Sequence, residues 1–169
     1  MHAITLDLPN PEATCELGAA LARSLPTQTD SPCVVHLRGD LGAGKTALAR
    51  AFLRSRGVGS TIRSPTYTLV ETYPEADATY VHVDLYRLAG AGDLEGLGLR
   101  DLLAPGHVFL IEWPEHGGGA VPPADLLLAL EDLGAGRRAR ITSGSDRGEL
   151  WITLLLSDRR LAPYLSNLS

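Results

Sequence analysis

The sequence predicts a single three-layer α/β domain whose sheet mixes parallel and antiparallel strands. A chain of 169 residues has the length of one domain, and its 44% hydrophobic residues are enough for a core. An apolar run, a glycine-rich turn and a helix-forming segment follow one another over residues 33–53, as in a strand-to-helix unit. Two later pairs of β-rich segments are each joined by a short turn, which predicts antiparallel hairpins.

The first elements follow from local patterns. Residues 4–8 alternate weakly in polarity and predict an edge strand. Residues 10–25 predict a helix, because an asparagine that can cap its start is followed by a proline, which needs no N–H at that position. Residues 33–37 form a short apolar run typical of a buried strand, and residues 46–53 place apolar side chains at helical spacing.

The middle of the chain predicts a hairpin, a short helix and another strand. Residues 67–73 and 79–86 are rich in β-forming side chains, and the short connection between them favours antiparallel pairing. Residues 93–103 predict a short helix, although internal glycines weaken its helical preference. Residues 107–111 are again an apolar run typical of a buried strand.

The C-terminal part predicts a second hairpin and a last element that could be a helix or a strand. Residues 126–132 and 138–143 are separated by a glycine-rich turn, which favours an antiparallel pair. From residue 148 onward the chain predicts a C-terminal helix, while residues 150–156 taken alone also fit a strand.

The composition excludes several classes of protein. The formal net charge is −5, and the only basic cluster is Arg137, Arg138 and Arg140. A protein that binds nucleic acid alone usually has a larger basic surface, so any RNA should be held by another subunit. No apolar run approaches the ~20 residues of a membrane span, and no export signal is present, so we expect a cytoplasmic protein. The two distant cysteines, Cys15 and Cys33, are expected to be reduced thiols.

One lysine stands out among the basic residues. Of the 15 basic residues, 14 are arginine, and the single lysine is Lys45. Residues 39–46 read GDLGAGKT, which matches the P-loop pattern G-x-x-x-x-G-K-[ST]. Glycines let the main-chain N–H groups approach phosphates, and the following helix directs its positive end at them. Lys45 should bridge the β- and γ-phosphates, and the Thr46 hydroxyl should bind Mg²⁺. The chain is therefore predicted to be a P-loop NTPase-like domain that binds a nucleoside triphosphate.

Two apolar strands each end on a carboxylate, which a P-loop needs nearby to hold the Mg²⁺ shell. Asp84 closes one of these strands, and Glu112 closes the other. Alternation along the first strand puts His82 and Asp84 on the same face. From spacing alone, both carboxylates also fit solvent-exposed positions, so both interpretations stay open.

Residues 64–68 follow the P-loop helix, where NTPases place a loop that senses the γ-phosphate. Thr66 is the candidate residue in this segment. Taken alone, the segment also fits a turn that enters a strand.

Four separated segments together resemble one family. Residues 39–46, 64–67, 82–87 and 111–115 read GDLGAGKT, SPTY, HVDLYR and IEWPE, and they are similar to motifs of the TsaE family. The resemblance covers roughly residues 10–140. It implies an accessory ATPase that uses ATP and Mg²⁺, associates with the TsaD–TsaB heterodimer and contacts tRNA only through these partners. That heterodimer transfers a threonylcarbamoyl group to adenosine 37 of tRNAs reading ANN codons.

The resemblance also implies roles for individual residues. The nucleotide-binding set comprises Asp40, Leu41, Gly42, Ala43, Gly44, Lys45, Thr46 and Thr66. Thr46 and Glu112 would bind Mg²⁺, Glu112 through water. Asp84 would activate or orient the attacking water, so Asp84 and Lys45 are the catalytic candidates. Trp113 and Tyr67 would lie near the nucleotide or a partner surface.

Two other functions fit parts of the sequence. A small-molecule or nucleoside kinase shares the P-loop, and the arginines at 137, 138 and 140 could imitate its phosphate-covering lid, although a β-hairpin is the simpler interpretation. A nucleotide-gated interaction module would hydrolyse slowly and use the bound nucleotide to order a partner surface. A GTPase is disfavoured, because the sequence has no N-K-x-D segment.

Overall fold

Strands and helices alternate through most of the computed structural model, which describes residues 2–27, 30–59 and 61–166. The strands are β1 (Ala3–Leu8), β2 (Cys33–Arg38), β3 (Val70–Pro74), β4 (Thr79–Asp84), β5 (His107–Glu112), β6 (Leu126–Asp132) and β7 (Arg137–Ser143). The α-helices are α1 (Pro11–Arg23), α2 (Lys45–Ser55), α3 (Ala91–Glu95) and α4 (Asp146–Leu156). Short 3₁₀ helices cover Leu99–Leu102, Pro114–Ala120 and Arg159–Tyr164.

The seven strands form one sheet in the order β1-β7-β6-β2-β5-β4-β3. Its central strands β6, β2, β5 and β4 are parallel. The β3–β4 and β6–β7 pairs are antiparallel hairpins, and β1 pairs antiparallel with β7 at one edge. The mixed sheet, both hairpins and the edge strand are therefore confirmed.

Apolar clusters on the two faces of the sheet produce the three layers. Helices α1, α2 and α4 cover one face, where Phe52 and Trp151 are fully buried. The smaller cluster on the other face includes Val81, Val83 and Ile111 from the sheet and Leu94 from α3. Alternate residues of β4 thus contribute to opposite faces, as strand geometry requires.

The helix ends have local causes. The Asn10 side chain accepts a hydrogen bond of 2.9 Å from the Ala13 N–H, and Pro11 opens α1, as predicted. Helix α1 ends at Arg23, two residues before the predicted end. Ser145 caps α4 in the same way through the Gly148 N–H at 3.1 Å, and the C-terminal segment is a helix and not a strand.

Three predicted elements are wrong in part. The strand expected over residues 79–86 ends at Asp84. Residues 67–69 were expected to be strand, but β3 begins only at Val70, because the chain turns there and Leu69 has a left-handed backbone with φ of 63°. The single helix expected over residues 93–103 is instead α3 followed by the 3₁₀ helix at Leu99–Leu102. Gly98, with φ of 67°, separates the two pieces.

Among the described residues, none of the helices is both long and apolar enough to serve as a membrane span.

Candidate functional site

The loop between β2 and α2 has a backbone that glycine makes possible. Gly39, Gly42 and Gly44 have φ values of 140°, 80° and 108°, in the region that favours glycine. A Cβ at Gly39 would lie 2.4 Å from the Leu130 carbonyl oxygen on the neighbouring strand β6. The N–H groups of the first turn of α2 have no intrahelical acceptor, so they are available to an anion at this helix start.

Lys45 lies folded over this loop. Its Nζ donates to the carbonyl oxygens of Gly39 at 2.5 Å and Asp40 at 2.9 Å. The same Nζ lies 4.0 Å from the centre of the Trp113 ring, and Trp113 has a left-handed backbone with φ of 56°, which is uncommon outside glycine. Burial lowers the pKa of Lys45, while the charges of Glu112 and Asp84 oppose that effect.

Glu112 lies at the end of β5 and is 2% exposed. Its Oε2 accepts a hydrogen bond of 2.9 Å from the Thr46 hydroxyl, and its Oε1 is 2.8 Å from His82 Nε2. The interpretation of Glu112 as a surface carboxylate is therefore wrong.

Asp84 lies directly opposite Glu112 in the register of β4 and β5 and is 6% exposed. Its Oδ1 accepts from the Tyr86 N–H at 3.0 Å. Burial raises the pKa of Asp84; the Tyr86 N–H opposes this shift, and the charge of Glu112 adds to it. Asp84 and His82 are both buried, so the interpretation of Asp84 as a solvent-exposed carboxylate is wrong as well.

These groups surround one cavity of about 300 Å³. Eight predicted site residues line it: Leu41, Gly42, Gly44, Lys45, Thr46, Thr66, Asp84 and Glu112. Trp113, which the resemblance placed near the nucleotide or a partner surface, also lines it, and Ala47, Tyr86 and Arg87 complete the lining. Asp40 contributes its carbonyl to Lys45, and Ala43 is buried in the core at 1% exposure, so these two predicted residues belong to the loop and not to the cavity wall.

Comparison with known proteins shows which family the chain belongs to. The family model described as "Threonylcarbamoyl adenosine biosynthesis protein TsaE" matches residues 8–140. The Haemophilus influenzae protein named tRNA threonylcarbamoyladenosine biosynthesis protein TsaE is 37% identical over 150 residues, covering 88% of this chain and 95% of that protein. The chain belongs to the TsaE family.

A second relative agrees with this assignment, and a solved structure shares the fold. The Bacillus subtilis protein of the same name is 30% identical over 129 residues, covering 76% of this chain and 78% of that protein. The crystal structure of Bacillus subtilis YdiB has a TM-score of 0.69 at 23% identity and covers 92% of this chain and 95% of that chain. The structural match supports the predicted P-loop-like α/β fold.

Thr66 lines the cavity in this TsaE-family chain, whereas the next residue, Tyr67, does not. The hydroxyls of Thr66 and Ser64 lie 2.6 Å apart. Tyr67 is 83% exposed, and the Arg87 guanidinium carbon is 4.6 Å from the centre of its ring. The turn at residues 65–69 thus brings Thr66 to the cavity while Tyr67 faces solvent.

Two residues outside the cavity lining form hydrogen bonds to site residues, and the family resemblance gave neither of them a role. His82 reaches Glu112; its signals in the sequence are its place at the start of the HVDLYR segment and the alternation that puts it on the face of Asp84. Arg137 Nε donates to the Ala43 carbonyl at 2.6 Å, and Arg137 Nη2 donates to the Gly42 carbonyl at 3.3 Å. Arg137 belongs to β7, so the hairpin interpretation of the arginine cluster is confirmed and the lid interpretation loses its support.

The side chains of the site suit a hard cation that also has phosphate ligands. Thr46, Glu112 and Asp84 offer only oxygen donors, which Mg²⁺ prefers. Among the described residues, no group of three or more His, Cys, Asp or Glu side chains is arranged to hold a metal by itself. Mg²⁺ sites with phosphate commonly use one or two protein ligands and complete the shell with phosphate and water, so Thr46 and Glu112 fit this mode.

Proposed function

We propose that this chain is a Mg²⁺-dependent ATPase that supports the formation of threonylcarbamoyladenosine in tRNA. The observation that carries the proposal is the arrangement of Lys45 and Thr46 at the start of α2, facing two buried carboxylates on adjacent strand ends. Membership of the TsaE family supports the assignment to this tRNA modification. ATP is the proposed nucleotide, because the sequence carries no guanine-specific N-K-x-D segment.

The loop is proposed to bind the triphosphate. Lys45 Nζ is held by two neutral carbonyl oxygens, which a phosphate oxygen could replace with a stronger, charge-assisted bond. The N–H groups at the start of α2 would add hydrogen bonds to the same phosphates. Mg²⁺, when bound, would neutralise charge on the β- and γ-phosphates.

Thr46 and Glu112 are proposed to hold the metal side of the site. The Thr46 hydroxyl donates its one hydrogen to Glu112, which leaves its oxygen lone pairs free for a cation. Glu112 would bind through water, since each of its carboxylate oxygens can accept a further hydrogen bond.

Asp84 is proposed to orient the attacking water and accept its proton. It lines the cavity with Lys45 and is not bonded to Thr46 as Glu112 is. The pKa of Asp84 is shifted upward, toward neutral pH, and a base with such a pKa accepts a proton from water more readily.

The chain is proposed to act with the TsaD–TsaB complex and to meet tRNA only through it. The net charge of −5 opposes direct binding to an RNA backbone. Leu41 lines the cavity and is 72% exposed, and Tyr67, 83% exposed, contacts the lining residue Arg87, so both would allow a partner to sense the nucleotide.

Calorimetry with ATP and Mg²⁺ tests nucleotide binding. ATP hydrolysis is then measured without an added phosphoryl acceptor, which a kinase would need. We expect Lys45→Ala to abolish binding and Asp84→Asn to bind nucleotide while losing roughly 100-fold or more in hydrolysis. Glu112→Gln should chiefly reduce the amount by which Mg²⁺ strengthens ATP binding. If Asp84→Asn weakens Mg²⁺ and Glu112→Gln does not, the two roles must be exchanged.

Reconstituted tRNA modification tests the proposed role of the chain in forming threonylcarbamoyladenosine. With TsaD–TsaB, product per complex should exceed one turnover only when this chain and ATP are present, and Lys45→Ala should abolish the increase. Unchanged repeated turnover without this chain would refute the assignment. ATP consumption that requires an added nucleoside would favour a kinase instead.

A further inference from the structure

His82 is a fully buried polar side chain that the proposed function does not use. It is 0% exposed, and its Nε2 lies 2.8 Å from Glu112 Oε1. An ionised carboxylate only accepts hydrogen bonds, so Nε2 is the donor. The Nδ1 atom is buried and has no hydrogen-bond partner among the described residues. The histidine is therefore buried with one hydrogen bond, and that bond goes to a proposed metal residue.

The position of His82 follows from the sheet. It lies on β4 two residues before Asp84, so both side chains point to the same face. Its register partner on β5 is Leu110, two residues before Glu112. A buried imidazole costs free energy unless its polar atoms are bonded, and an apolar residue would fill the same place more favourably. Packing alone therefore does not explain a histidine at this position.

Glu112 is held at both of its oxygens. Thr46 binds Oε2 at 2.9 Å, and His82 binds Oε1 at 2.8 Å. With Thr46 alone, the carboxylate could rotate about the bond to its single partner. With two donors on separate elements, α2 and β4, the plane of the carboxylate is defined before any ligand arrives.

We infer that His82 is a positioning residue that orients Glu112 toward Mg²⁺. This inference rests on the proposed function, in which Glu112 serves the metal. Outer partners of direct metal ligands typically contribute 10- to 100-fold to metal affinity, and because Glu112 would reach the ion through water, we expect the lower end of that range for His82. His82 touches neither phosphate nor metal in this role; it acts through Glu112.

The chain offers a matched control in a second buried histidine. His36 on β2 is 8% exposed, its Nε2 bonds the Pro122 carbonyl at 2.9 Å, and its Nδ1 is also without a partner among the described residues. His36 therefore shares the burial and the single hydrogen bond of His82, but its bond goes to a main-chain oxygen away from Glu112.

The test measures how much Mg²⁺ strengthens nucleotide binding. The dissociation constant of ATP is determined by calorimetry with Mg²⁺ and with EDTA, and the ratio is compared among full-length variants. His82→Leu should keep the affinity in EDTA and reduce the Mg²⁺ enhancement about 10-fold. His82→Gln places an amide donor near the former Nε2 and should restore most of the enhancement. His36→Leu removes a buried histidine that does not contact Glu112 and should leave the ratio unchanged.

A second variant protects the test against misfolding. His82→Asn keeps a polar side chain but is too short to reach Glu112, so it should behave as His82→Leu does. Wild-type enhancement in either the leucine or the asparagine variant would overturn the inference, and so would equal losses in the glutamine and leucine variants. If the wild-type protein binds ATP equally well in EDTA, the magnesium part of the proposed function fails, and the inference fails with it.

Discussion

Gly39 is the most constrained residue of the nucleotide loop. Its φ of 140° disfavours other residues, and the space at its Cβ position is taken by the Leu130 carbonyl at 2.4 Å. Gly42 also has a positive φ, of 80°, but nothing lies within 4 Å of its Cβ position. At Gly42 only the backbone conformation disfavours a side chain, whereas at Gly39 the space for a side chain is also occupied.

Alanine at these two positions should show that difference. Gly42→Ala should lower the free energy of unfolding by about 1–2 kcal/mol, the cost of a left-handed backbone. Gly39→Ala should lower it by roughly 2–5 kcal/mol, because displacement of β6 adds an overpacking cost. Urea unfolding measures both. Equal losses would mean that β6 does not constrain the loop.

At the scale of elements, the β6–β7 hairpin supports the nucleotide loop. Arg137 at the start of β7 bonds two loop carbonyls, whereas the next residue, Arg138, pairs with Asp7 of β1 at 2.8 Å. The alternation of the strand sends the two arginines to different partners. Only one of them holds the loop.

Replacing each arginine by methionine tests this support. Arg137→Met keeps an apolar stem but removes both hydrogen bonds, so the loop becomes less ordered and ATP affinity should fall about 3- to 10-fold, consistent with ~1 kcal/mol for a partly exposed hydrogen bond. Arg138→Met is the matched control and should leave the affinity unchanged. Calorimetry measures both, and equal affinities in the two variants would contradict the role of Arg137.

The two cysteines report on the packing of α1 and β2. Cys15 on α1 is exposed, whereas Cys33 on β2 is buried. Burial raises the pKa of the Cys33 thiol to about 12, and the charge of Asp125 adds to this shift.

A thiol titration with a disulfide reagent at pH 8 tests this difference. The folded protein should react at one thiol and the denatured protein at two, because the reactive species is the accessible thiolate. Cys15→Ser should leave no fast-reacting thiol in the folded state. Rapid reaction of Cys33 would show that β2 is less protected than its burial indicates.

At the scale of the whole molecule, charge pairing limits the basic surface. Several arginines bind carboxylates: Arg23 with Glu16 and Asp158, Arg56 with Asp77, and Arg138 with Asp7. These pairs neutralise part of the basic surface, and the net charge of −5 further opposes binding to a phosphate backbone.

Free tRNA should therefore bind negligibly. A gel-shift titration at physiological salt should show no complex with the chain alone, whereas addition of TsaD–TsaB should produce one. Tight binding of tRNA to the chain alone that weakens steeply with salt would refute the view that partners supply the RNA contact.

The sequence was sufficient for those parts of the site that depend on neighbours in the chain. The loop at residues 39–46, the helix after it and both hairpins follow from short-range patterns, and the structure confirms them. Predictions failed where the pattern was weak. Residues 67–69 have β-forming side chains but turn instead, and glycines divide the helix expected over residues 93–103.

The sequence by itself determined that a P-loop precedes a helix and that two apolar strands end on Asp84 and Glu112. Only the tertiary structure decided that both carboxylates are buried side by side, that His82 bonds Glu112, and that Arg137 reaches the loop. The physical reason is distance along the chain. Glycine conformation and helix capping act within a few residues, whereas these contacts join residues 28 to 94 positions apart and exist only once β4, β5 and β7 take their places in the sheet.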